Sequence, residues 1–242
     1  MKNILILAKR EIRSFFDSLV AYILLVAFLG FSGFFTWLYG TDIFFIGQAT
    51  LQPFFSLAAY WSLFFFIPAL TMRMIAEEKR TGTLEVLLTQ SVSDWQVLVG
   101  KFLGCLGLIL VALIFTLPYY FAVAWLGPVD HGAVWCGYLG LIFMSAAYIG
   151  IGLFASSISS NQVVAFLVAL LIGLFFHLLF GFMADASEGI LRDTFSFLSM
   201  ENHYQSISRG VIDLRDITYF LTITMLGLIL AEYQLIKRNV IS

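Results

Sequence analysis

Residues 19–39 carry no charged side chain. Spanning a bilayer takes about 20 apolar residues, and a backbone without water must satisfy its own hydrogen bonds, so such a run has one stable form, a transmembrane helix. Five more runs follow at 54–72, 102–126, 135–158, 163–182 and 217–236, interrupted only by His177 in the fifth and Glu232 near the end of the sixth. The expected fold class is therefore all-α and integral to the membrane, with six transmembrane helices in a single domain over residues 1–242. Trp37 and Tyr39 end the first run as interfacial aromatics do. Pro68 and Pro118 are expected to kink the second and third. Gly137, Gly140, Ser145, Ala146, Ala147, Gly150 and Gly152 make the fourth run the one expected to pack inside the bundle, since small side chains let helices approach closely.

Composition excludes the main alternatives. Hydrophobic residues make up 61% of the chain and charged ones 12%, with mean hydropathy +0.96, outside the range of soluble domains. A net charge of −2 offers nothing to a phosphate backbone, so no nucleic-acid partner is expected. Cys105 and Cys136 lie in or beside apolar runs and read as packed thiols rather than a disulfide or metal pair. No small-residue cleavage pattern follows the first run, which is expected to stay as a span.

Ahead of it, residues 1–17 form an amphipathic helix. Ile4, Leu5, Ala8, Ile12, Phe15 and Phe16 share one arc while Lys2, Lys9, Arg10, Arg13 and Asp17 share another, the pattern of a helix lying in the interface against anionic lipids. Leu7 and Glu11 break that pattern. Placing this helix in the cytoplasm sorts the 13 basic residues clearly. Lys2, Lys9, Arg10, Arg13, Arg73, Lys79, Arg80, Lys101, Lys237 and Arg238 fall inside, against Arg192, Arg209 and Arg215 outside. Both termini and the stretch 73–101 are then cytoplasmic.

That stretch, RMIAEEKRTGTLEVLLTQSVSDWQVLVGK, is a water-facing island between the second and third spans. Gly82 is placed to end the helix carrying Glu77, Glu78 and Arg80 by taking a left-handed conformation, and Thr83 to cap a new one. Leu84, Leu87 and Leu88 give that short crosspiece one adhesive face, with Glu85 beside it. Ser93 and Gln96 then supply a capping box for the helix that returns to the membrane. The run from Ala76 to Thr89, followed by Gly100-Lys101, resembles the cytoplasmic signature of type-2 ABC exporter permeases, although relatives often carry proline where this chain has Gln90-Ser91. The resemblance implies a coupling helix seated on an ATP-hydrolysing subunit, with Glu77, Glu78, Arg80, Gly82, Thr83, Leu84, Glu85, Leu87 and Leu88 as coupling residues. It also implies an elbow role for residues 1–17 and the bacterial cytoplasmic (inner) membrane as location.

The chain has no Gly-x-x-x-x-Gly-Lys-Ser/Thr phosphate loop, so it is read as a transport subunit and not an enzyme. ATP and Mg belong to a partner ABC ATPase dimer, and no cofactor or metal is expected in this chain. The long island 184–216 carries a second set, Glu201, His203, Arg209, Asp213, Arg215 and Asp216, which would gate the outer mouth, contact a partner or simply cap the bundle, with Gly210 ending its helix. Its Ser-Arg-Gly-Val-Ile-Asp run (208–213) resembles permeases of the gliding-motility branch. That branch implies a heteromeric assembly with a second permease subunit bearing an extracytoplasmic domain, embedded in membrane lipids, exporting a substrate or transmitting force.

His177 reads as a neutral side chain bonded to a neighbouring helix. The reading from another class is an intramembrane serine hydrolase. Gly30-Phe31-Ser32-Gly33 resembles the Gly-x-Ser-Gly of such proteases, with Ser32 as nucleophile and His177 as base, and it requires the two within hydrogen-bond reach.

Overall fold

A computed structural model of the chain describes residues 2–39, 47–83 and 93–241. In chain order the helices are α1 (Lys2–Phe16), α2 (Leu19–Trp37), a π-helical segment (Phe54–Ala59) running into α3 (Tyr60–Thr71), and α4 (Ala76–Thr81). Then come α5 (Asp94–Ile114), α6 (Leu117–Leu126), α7 (His131–Ile158) and α8 (Gln162–Leu174), which passes through a second π-helical segment (Phe175–Leu179) into α9 (Phe180–Asp185). The chain closes with α10 (Gly189–Leu198), α11 (Met200–Ser208) and α12 (Leu214–Ile241). The described residues hold helices and no strands, and six continuous helical units are long and apolar enough to cross a membrane. The all-α, six-span expectation is met.

The fourth span, α7, is the hub of the bundle. It packs against α3, α5, α8, α11 and α12, and its small residues are what allow this. At its closest crossing, a methyl group added to Gly227 of α12 would lie 2.6 Å from the carbonyl oxygen of Gly150. A methyl on Gly137 would run into the ring of Phe55 at 2.8 Å. Lipid tails are as apolar as the side chains, so close van der Waals approach, rather than water exclusion, is what holds such helices together.

Pro118 divides the third span. α5 stops at Ile114, and α6 restarts at Leu117 with the proline in its first turn, where a missing N–H costs nothing. Thr116 bridges the break, donating to the Leu113 carbonyl at 2.7 Å and sharing a hydrogen bond with Tyr138 at 3.1 Å. Helix α3 runs through Pro68 as far as Thr71. The turn to the fifth span is short, with Asn161 capping α8 through the Val163 N–H at 2.9 Å.

The two residues that break the amphipathic pattern of α1 both face α5. Methyl groups on Gly100 and Gly104 would meet the Cβ atoms of Leu7 and Glu11 at 2.7 and 2.6 Å. Helix α1 thus packs into a glycine groove at the start of the third span, burying Ala8 and Phe15, while Leu5 and Ile6 remain exposed.

Candidate functional site

The stretch around residues 73–101 is tied to the bundle at three points. Met72 to Ile75 form a turn, and α4 follows with Ile75 as its N-cap. Ser156, near the end of α7 and fully buried, accepts from the Ile75 and Ala76 N–H groups at 3.1 and 3.0 Å and donates to the Met72 carbonyl at 2.9 Å. One hydroxyl from the fourth span therefore satisfies the backbone groups that a helix start leaves open. The Lys79 ammonium adds a hydrogen bond to the Ser157 carbonyl. Ser156→Ala removes all three Ser156 bonds at once and is expected to destabilise the protein by about 1–3 kcal/mol. Chemical unfolding in mild detergent measures this, and a midpoint equal to wild type would contradict it.

The second tie is ionic. Lys101 of α5, its side chain 3% exposed, donates to Glu78 at 2.6 Å and lies 3.6 Å from Glu11 of α1. Three segments far apart in sequence meet at this one ammonium. Arg10 also reaches Glu11, at 2.7 Å. The third tie is Arg73, whose guanidinium lies over the Phe15 ring at 5.2 Å and reaches Ser18 at 3.5 Å.

Glu78 thus faces inward, while Arg80, Gly82 and Thr83 are exposed. Glu77 and Arg80 are 4.0 Å apart in a loose surface pair. Gly82 takes φ +73°, the left-handed conformation anticipated for it, and Thr81 shares a hydrogen bond with Thr83 at 2.9 Å. Ser93 caps α5 by accepting from the Gln96 N–H at 3.3 Å. Leu84, Glu85, Leu87 and Leu88 lie outside the described residues.

At the opposite end, the island 184–216 folds as two short helices, α10 and α11. It separates the six candidate residues by role. His203 and Asp216 are buried and paired at 2.7 Å, and the second ring nitrogen of His203 lies 2.9 Å from the Phe197 carbonyl. The ring also stacks on Tyr219 at 4.0 Å. Asp213 instead caps α12 through the Arg215 N–H at 3.0 Å, and Arg215 is exposed. Glu201 accepts from the Gln205 amide at 2.8 Å, and Arg209 donates to the same Gln205 at 3.0 Å. Gly210 has φ +93° directly after α11.

Inside the bundle His177 is fully buried, with its Nδ1 2.6 Å from the Tyr148 hydroxyl on the fourth span. Its ring is stacked between Tyr60 at 4.0 Å and Phe64 at 4.5 Å. Ser32 donates to the Leu29 carbonyl at 3.3 Å. No hydrogen bond joins Ser32 to His177 among the described residues, so the nucleophile and base of the hydrolase reading are not brought together.

Sequence reasoning did not anticipate the two π-helical segments. Each places a carbonyl where a tyrosine reaches it: Tyr204 donates to Phe55 and Tyr60 to His177, both at 3.0 Å. Burial holds the Tyr204 hydroxyl well above its ordinary pKa, so it stays a donor. Such insertions concentrate at functional sites, but they leave no mark in an apolar run.

A family model described as ABC-2 family transporter protein covers residues 47–233. No curated protein matches the chain.

Proposed function

The chain belongs to the ABC-2 transporter family, and from that premise we propose that it passes the motion of a separate ABC ATPase dimer through its 73–101 stretch to the membrane spans. Permeases of this family are membrane-spanning components of ABC transporters, and an ATPase partner is implied for them in general. The observation that carries the coupling role is the three-way tie at the inner end: Ser156 joins the start of α4 to the fourth span, while Lys101 joins Glu78 to the third span and α1. Displacement of the 73–101 stretch would then move α1 and the second, third and fourth spans together as a lever.

Within that reading the coupling residues are Glu77, Arg80, Gly82, Thr83, Leu84, Glu85, Leu87 and Leu88 on the ATPase side, with Glu78 as the inward anchor. ATP and Mg are held by the partner. The termini and α1 are cytoplasmic at the bacterial inner membrane, the exposed Lys9, Arg10 and Arg13 facing anionic headgroups. The Ser-Arg-Gly-Val-Ile-Asp resemblance supports the gliding-motility branch, and with it a heteromeric assembly in which a second permease subunit bears an extracytoplasmic domain. Export or force transmission would be the output.

The test is to replace Glu85 by Lys, or Leu87 and Leu88 together by Ser, in the assembled complex. The variants are expected to reach the membrane at wild-type level while permease-stimulated ATP hydrolysis falls about tenfold or more, the effect of losing a central apolar anchor worth about 2 kcal/mol. Full stimulation in both variants would rule the coupling role out.

A further inference from the structure

At the end of the bundle opposite the coupling stretch, a recess of about 440 Å³ opens between the second span, the end of the fifth and α11. From its lining we propose that it binds an ammonium group carried on an apolar body. Asp185 and Glu201 supply two carboxylates to the recess, and neither forms an ion pair among the described residues. Arg209 forms no ion pair with Glu201. The guanidinium bonds to the Gln205 carbonyl oxygen, and the amide end of the same side chain bonds to Glu201. Trp61 and Phe182 add aromatic side chains to the lining, and no lysine or arginine lines the space. Carboxylates with aromatic faces and no competing cation form the recognition set for an ammonium.

The walls are held in place without a ligand. Tyr60 of the second span bonds to the His177 carbonyl of the fifth, and Tyr204 of α11 bonds to the Phe55 carbonyl of the second. Both acceptors belong to the π-helical segments, which adjoin the recess from two sides. A preformed site spends little binding free energy on ordering. An aminophospholipid headgroup and a free amine present the same chemistry here.

The test uses the full chain in dodecyl maltoside, with phenethylammonium as probe and neutral 2-phenylethanol as its analogue, read by calorimetry. Saturable phenethylammonium binding is expected, with the alcohol and the Glu201→Gln and Asp185→Asn variants each weaker by about tenfold, the size of one lost charged contact. Asp193→Asn, on α10 outside the recess, is expected to bind as wild type. If Glu201→Gln folds poorly, Asp185→Asn decides, because Asp185 is exposed and its side chain makes no hydrogen bond among the described residues. Added phosphatidylethanolamine that competes with the probe identifies a lipid-borne amine, and its failure to compete identifies a free one. No phenethylammonium binding, equal binding of the alcohol, or unchanged affinity in the Asp185→Asn, Glu201→Gln double variant would overturn the proposal.

Discussion

Lys101→Met is expected to cost about 3 kcal/mol or more, the usual penalty for removing one partner of a buried ion pair. The methionine fills similar volume and keeps the helix, so the loss reports the charge. Glu78 would be left with one carboxylate oxygen that already has no hydrogen-bond partner and another that has lost its ammonium. Glu11 keeps Arg10 at 2.7 Å and suffers less. The asymmetry gives a sharper test than the single variant. Glu78→Gln placed on top of Lys101→Met should recover part of the stability, whereas Glu11→Gln should recover little. Chemical unfolding of wild type, the three single variants and the two double variants measures both coupling energies. A Lys101→Met variant as stable as wild type would mean that the three segments are held by packing alone, and the lever of the proposed coupling would lose its pin.

Gly227→Leu is expected to do comparable damage by a different route. A Cβ there meets backbone, the Gly150 carbonyl oxygen at 2.6 Å and its Cα at 2.9 Å. Backbone cannot rotate aside as a side chain tip does, so α7 and α12 must separate along their whole crossing. Overpacking of this kind costs about 1–3 kcal/mol for a few atoms and more for a leucine. Gly30→Ala is the matched control. Nothing lies within 4 Å of its added methyl, and alanine is the better helix former by about 1 kcal/mol, so that variant should be neutral or slightly stabilising. Thermal unfolding in detergent compares them, and equal midpoints for Gly227→Leu and Gly30→Ala would show that the crossing is not closely packed.

These two sites also show how far the sequence could be read. Gly150 stood out as a small residue in a helix bound for the interior, but its partner Gly227 did not. A glycine that touches another helix and one that faces open space look alike in a sequence, as Gly30 illustrates. Lys101 was visible as the end of a charged island and Glu11 as a break in an amphipathic pattern. Their meeting at 3.6 Å was not visible. Local chemistry did better: the left-handed turns at Gly82 and Gly210 and the Ser93 cap follow from residue type and immediate neighbours. In the 184–216 island, six charged or titratable residues read as one functional group. The fold divides them into a buried pair, a helix cap, two exposed arginines and a carboxylate facing a recess.

What the sequence determined by itself is therefore the set of spans. The cost of charge or an open backbone group in hydrocarbon is borne residue by residue, so each run of apolar side chains declares itself without reference to the rest. The tertiary structure alone decided which helix is central, which charges are paired and where a recess is left. Those outcomes depend on the shapes of surfaces brought together from distant parts of the chain, and close packing is set by both partners at once.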